Sequence, residues 1–464
     1  MKLTRRTFCA GLGGVAGLYL IRPATAQTPT LTARKATVQL APEGYPATDV
    51  WSYDGTIPGP MIRVPQGGRV QQTLVNELDV PTSVHWHGIR IDNAMDGVAG
   101  LTQDPVAPGA RYDYDFAAPD AGTYWYHAHT NSMEQVGRGL SGPLIIDEST
   151  PPDVDRDEVL MLNDWLLDPE TGAFSEPFAH PMMMSHGGRT GNLIGVNGKF
   201  AYALTARTGE RLRLRLINAA NARIFVLRLQ GMAGWTVALD GMPLDAPEPA
   251  TSEIILAPAQ RVDLIVDVTA TPDDPAGILM SLNNDGWEAL VEMTVSGSTE
   301  RRPEAPTPLP ANPNTARPDL NDAQQFEMVM EGGAMAGMDS AMYQGETLDF
   351  RALIDRGQFW ALSGQAGMSE TPFASLNQGD VARVTLINRT AFAHAMHLHG
   401  MHFREVRADG SLGPLRDTIL SRATPRDRVR RGQSRKVAFP LSHAGPCGLR
   451  HEHMGRSRLN PRKF

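Results

Sequence analysis

Four histidines fall within nine positions at His394-Ala395-Met396-His397-Leu398-His399-Gly400-Met401-His402. In an extended strand alternate side chains share a face, so His397 and His399 point the same way while Leu398 turns toward a core. The same H-x-H spacing occurs at His85-Trp86-His87, His127-Ala128-His129 and His451-Glu452-His453, so eight of the thirteen histidines sit in such pairs. One pair is ordinarily surface or satisfied core. Four pairs on distant segments ask for a common reason, and packing supplies none. Neutral imidazole suits copper, zinc, iron and nickel, and the scarcity of cysteine and of carboxylates in these motifs turns the reading away from calcium, magnesium and iron–sulfur centres. Copper clusters lead.

These motifs resemble those of the multicopper oxidases. The family's H-W-H-G stands as His85 to Gly88, its W-Y-H-x-H as Trp125 to His129, and its H-x-x-H-L-H-G as His394 to Gly400. The resemblance implies an oxidase that gathers electrons one at a time from Cu(I), phenols or aromatic amines and delivers four to O2, making water. It implies a trinuclear copper cluster between the first and last domains. His85 and His397 would hold its type 2 copper; His87, His127, His129 and His399 would hold the type 3 pair, joined by His451 and His453 if the tail aligns. His394 matches a ligand of the blue copper, a site that also needs a cysteine. Asp96, nine residues after His87, matches an acid that orients water and assists proton delivery to reduced oxygen; as an Asp before Gly it also reads as turn chemistry.

The fourth motif departs from the family. Glu452 stands where the resemblance requires the blue-copper cysteine between His451 and His453. From Gly122 to His127 is five steps, whereas Gly445 to His451 is six, and one extra step flips a strand's face unless a bulge absorbs it. After Cys447 the chain is short and basic. One reading is that the final 18 residues, 447–464, are out of frame; the other is a genuine tail without a blue copper site.

An internal repeat organises what carries these motifs. Gly67-Gly68-Arg69-Val70 leading to Asn76, Gly209-Glu210-Arg211-Leu212 leading to Asn218, and Gly379-Asp380-Val381-Ala382 leading to Asn388 are one turn and strand three times. A second element recurs at Ala107 to Tyr112, Ala257 to Val262 and Arg431 to Lys436. The strands are short and alternating, as in Arg211-Leu212-Arg213-Leu214-Arg215-Leu216, which predicts a half-buried pattern. With 45 Gly and 35 Pro and no long amphipathic helix, an all-β protein of three consecutive Greek-key sandwiches is expected. The resemblance makes them cupredoxin-like: 27–150, 151–300 and 319–464, with 301–318 as linker. The middle unit has Ala222 to Leu227 where the others have histidines, so its expected role is spacing and packing.

The first 26 residues are expected to be a removed export signal, with the twin-arginine Thr4-Arg5-Arg6-Thr7-Phe8, an apolar run and an Ala24-Thr25-Ala26 cleavage site. The protein is therefore expected in the periplasm, exported by the twin-arginine machinery, with no membrane anchor. The mature chain keeps only Cys447, so no internal disulfide can form. Loss of the signal takes the formal charge from -8 to -12, which disfavours a nucleic-acid partner.

Twenty-one methionines are distributed unevenly. Met328, Met330, Met335, Met338 and Met342 form one cluster and Met182, Met183 and Met184, flanked by His180 and His186, another. The Gly- and acid-rich context predicts exposed loops, where soft thioethers would collect Cu(I). A copper-binding or copper-free protein on the same scaffold is the competing expectation. A nitrite reductase would use two related domains, not three.

Overall fold

The computed structural model describes residues 28–281, 286–335, 337–369, 371–422 and 433–440. The proposed export signal, Cys447, His451 and His453 lie outside the described residues.

Strands account for nearly all regular structure, and they stack as face-to-face sheets. In the first unit a sheet ordered 48–53, 30–38, 69–76, 111–117 packs on one ordered 62–65, 141–147, 122–128, 84–87. Between them lies a core that includes Val70, Leu74, Trp86, Tyr114, Tyr126 and Leu144. In the second unit, six strands built around Arg211–Asn218 and Arg261–Val268 face five that include Phe225–Gln230 and Trp287–Ser298. The third unit has a six-stranded sheet centred on Val381–Asn388 and a two-stranded ribbon pairing His394–His397 with Thr418–Ser421.

The repeated sequence elements are hydrogen-bonded neighbours. Arg69–Asn76 pairs antiparallel with Arg111–Ala117, Arg211–Asn218 with Arg261–Val268, and Val381–Asn388 with Gln433–Pro440. Each first strand ends in a wholly buried Asn whose side chain does the same work. Asn76 donates to the Val80 and Val106 carbonyls, Asn218 to those of Arg223 and Leu256, and Asn388 to those of Phe392 and Ser421. A buried amide satisfied this way pins the loop that follows. In the outer units that loop leads into the histidine strands.

The half-buried expectation fails for the middle unit. Every residue of Arg211–Asn218 and of Arg261–Val268 is buried. Their polar faces meet neighbouring domains and each other rather than solvent: Arg213 pairs with Glu148 at 2.8 Å and Asp263 at 2.7 Å, and Arg215 with Asp157 at 2.7 Å while donating to Thr123 Oγ1 at 2.9 Å. Alternation reports two faces of different chemistry, and here ion pairing satisfies the charged one. The segment between the second and third units is also packed. Leu309 joins a small core with Val237 and Ile265, and Asn312 bonds the Ala121 backbone through both side-chain atoms.

Candidate metal centre

Strand Val84–His87 pairs with Gly122–Ala128 so that His85 sits opposite His127. Trp86 is fully buried in the core, which turns His85 and His87 to the other face. Strand His394–His397 of the third unit brings His397, and just beyond it His399, to the same place. Six imidazoles thereby converge. The His85 ring lies 4.1 Å from His399, 5.2 Å from His127, 5.3 Å from His129, 5.4 Å from His87 and 5.8 Å from His397, centroid to centroid. His87 stacks on His397 at 3.7 Å.

The donor atoms suit a metal. His85, His397 and His399 present ligand nitrogens within 4.8 Å of one another, and so do His85, His87 and His127. His85 directs Nδ1 at the Asp96 carbonyl (2.8 Å) and His397 directs Nδ1 at the Asp417 carbonyl (3.0 Å). That leaves the buried Nε2 of each without a hydrogen-bond partner. Buried orphan acceptors are costly unless something binds them, and a copper ion would. Burial, with the neighbouring His399, pushes the His85 pKa down; burial, with His397, pushes that of His87 far down. Burial thus disfavours the charged form of both rings, and the neutral form is the one that ligates.

Asp96 stands at the edge of the cluster. Its Oδ2 accepts from His399 Nδ1 at 2.9 Å, and its Oδ1 lies 3.2 Å from His85 Nδ1. Burial raises its pKa, but His399 and His85 outweigh that and hold it well below the usual carboxylate range. Gly97 follows at φ +80, and a Cβ there would fall 1.7 Å from the Val84 carbonyl oxygen. Only glycine lets the Asp96 turn lie so close to the histidine strand.

His394 is apart from the six. It is buried, takes a 2.8 Å hydrogen bond with Thr390 Oγ1, and packs edge-on against Trp360 at 4.9 Å. Burial lowers its pKa to about 4. Trp360 in turn donates to the Met184 carbonyl at 2.7 Å. The short helix Pro181–Ser185 thus roofs the His394 region, and the Met335 loop joins it through Ala334 N donating to Ser185 O at 2.6 Å.

The methionine expectation needs correction. Met330 is 1 % exposed in the third unit's core and Met338 is 8 % exposed in a satellite core with Leu353 and Ala361, while Met184 packs with Phe359 and Trp360. These are packing residues, as thioethers commonly are. Met182, Met335 and Met342 are the exposed ones.

Sequence reasoning missed Asp417, Arg261 and the partners of His402. Asp417 is fully buried with Oδ1 3.4 Å from His87 Nε2 and from His397 Nδ1, and it forms two hydrogen bonds with Arg261. His402 is also buried, 3.7 Å from Asp417, with neither ring nitrogen hydrogen-bonded. Arg416-Asp417-Thr418 carries no spacing signature, and Arg261 reads as one more alternating arginine.

Three stacked sandwiches with a histidine cluster between the first and last define a copper protein. Sequence profiles described as multicopper oxidase match residues 34–151, 156–276 and 342–450. A crystal structure of Lac15 from a marine microbial metagenome is 39% identical, with a TM-score of 0.72 over 90% of this chain and 94% of that one. The multi-copper oxidase of Pseudomonas thermotolerans is 31% identical, with a TM-score of 0.75 over 89% of this chain and 92% of its own. The multicopper oxidase MmcO of Mycobacterium tuberculosis is 28% identical over 87% of this chain and 81% of its length. The chain belongs to the multicopper oxidase family. It is an oxidoreductase of three cupredoxin-like domains with copper as its cofactor. The third profile ends one residue before His451.

Proposed function

We propose that the chain is an exported oxidase that couples one-electron oxidation of Cu(I) or of phenolic and aromatic donors to reduction of O2. Four donors each lose an electron, and O2 takes four electrons and four protons to give two waters. His85 and His397 would hold the type 2 copper and His87, His127, His129 and His399 the type 3 pair; His451 and His453 complete that set if the tail is aligned. Copper supplies the redox change and the site where O2 is reduced. The protein orients the imidazoles through Asp96 and the Asp417 carbonyl, and the Asp96 carboxylate moves protons toward oxygen. The observation that carries this reading is the pair of buried Nε2 atoms without a hydrogen-bond partner, on His85 of the first domain and His397 of the third, in residues that present ligand nitrogens within 4.8 Å of one another.

Electrons would arrive at His394, beneath the helix bearing Met182. Exposed thioethers of Met182, Met335 and Met342 offer Cu(I) a route, and the copper resistance protein A of Escherichia coli, 29% identical over 74% of this chain, supports copper as substrate. The twin-arginine segment supports export to the periplasm. Among the described residues no helix is long and apolar enough to cross a membrane.

Glu452 between His451 and His453 favours a second reading, a copper-binding or copper-free protein without the electron-transfer cysteine. Copper content, the intense visible band of a copper–thiolate bond, and O2 uptake with Cu(I) or a phenolic dye separate the two. Bound copper with turnover supports the oxidase. Bound copper without turnover favours sequestration, and no bound copper favours a structural role. Sequencing the gene's 3′ end decides whether residues 447–464 are read in frame.

A further inference from the structure

Resting on the copper reading above, we infer that the middle domain, which carries none of the converging histidines, supplies a positioning residue for the centre: Arg261, acting through Asp417. Arg261 is wholly buried and touches all three domains. It is anchored in the second, where its backbone N donates to Asp240 Oδ1 at 3.0 Å. Its Nε donates to the Thr123 carbonyl of the first domain at 3.1 Å. Nη1 and Nη2 donate to the two Asp417 oxygens of the third at 2.9 and 2.6 Å.

Asp417 is placed to compete for metal. With His87 and His397 it forms a group whose donor atoms lie within 4.8 Å of one another, a second set able to hold a metal ion beside the all-histidine ones. The two-pronged guanidinium occupies both carboxylate oxygens, and a planar fork does this where a point charge would not. So occupied, the carboxylate orients rings rather than binding metal, while the Asp417 carbonyl fixes which nitrogen of His397 carries the proton. Neighbouring residues brace the same turn: Gln260 Nε2 donates to the Thr418 carbonyl at 3.0 Å and Arg416 Nε to Asp240 Oδ2 at 2.8 Å.

The glycine after His87 belongs to this unit. Gly88 has φ +89, and a Cβ there would stand 2.3 Å from Arg261 Nη2 and 2.6 Å from Asp417 Oδ2. The last residue of the H-W-H-G motif makes room for the ion pair rather than for copper.

The full-length chain is compared with Arg261→Met, Arg261→Lys and, as a control, Arg213→Met, which removes buried ion pairs to Glu148 of the first domain and to Asp263 of the second. Type 2 copper affinity is measured against a competing chelator, with the electron paramagnetic resonance spectrum of the bound Cu(II) and thermal unfolding of the copper-free protein. Loss of a partner that orients a ligand costs roughly 10–100-fold in metal affinity. That loss with an altered spectrum is expected for Arg261→Met, and a smaller one for Arg261→Lys, while Arg213→Met loses heat stability but binds copper as the parent does. Wild-type affinity and spectrum in Arg261→Met overturn the inference, as does an equal loss in Arg213→Met. Should Arg261→Met not fold, Arg261→Lys decides alone: an unchanged spectrum overturns the inference. A parent chain that binds no type 2 copper refutes the copper reading itself.

Discussion

Asp96 and His399, 303 positions apart, meet across the boundary of the first and third domains, with His399 Nδ1 donating to Asp96 Oδ2 at 2.9 Å. The bond joins a loop after one histidine strand to the end of another. It gives Asp96 two separable duties, holding a ring and carrying charge.

Asp96→Asn keeps an oxygen to accept from His399 but removes the charge and the exchangeable proton. Oxygen reduction is expected to slow by about 10²-fold or more with copper content unchanged. Asp96→Ala removes the acceptor too, and copper affinity is expected to fall roughly 10-fold or more. Copper content and oxygen uptake on both variants check this, and equal turnover of Asp96→Asn and parent would exclude the proton role.

Gly97→Ala tests the close approach of that loop. A left-handed backbone costs about 1–2 kcal/mol for a residue with Cβ, and the contact with the Val84 carbonyl adds to it. Thermal unfolding of the copper-free protein is expected to shift down by at least that much. An unshifted transition would mean that the loop relaxes freely.

Replacing the exposed Met182, Met335 and Met342 with leucine is expected to lower Cu(I) oxidation and spare a phenolic dye. Buried Met338→Leu, a volume-conserving change costing under about 1.5 kcal/mol, should alter neither rate. Parallel losses on both substrates in the triple variant would remove the thioether route.

The Asp157 and Arg215 pair predicts a pH effect. Burial raises the Asp157 pKa, but hydrogen bonds and charge from Arg215, helped by Arg213 and Arg63, hold it below the ordinary value. A depressed carboxylate contributes stability above its unfolded pKa of about 3.9 and loses it as pH falls through the folded value. Asp157→Asn should therefore unfold at a lower temperature than the parent near neutrality, with the gap closing below about pH 4. A gap that stays constant from neutral pH to acid would contradict this.

Much of the fold could be read in advance because it depends on local pattern. The thrice-repeated turn and strand marks the paired strands at the centre of each domain, and alternation around Trp86 places His85 and His87 on one face. The environment of that face was not local. Arg213 and Arg261 look like solvated strand arginines until the neighbouring domains are in position, and Met338 looks like a loop residue until the satellite core closes around it.

Residue chemistry and spacing by themselves pointed to repeated β-sandwiches and to imidazoles paired on one strand face as a metal site requires, since both follow from periodicities of a few residues, while copper as the metal came from the family motifs. Tertiary structure alone decided that Asp417 and Arg261 belong to the centre. Carboxylate and guanidinium, 156 residues apart, acquire a role only when three domains are packed around them, where burial makes each depend on the other.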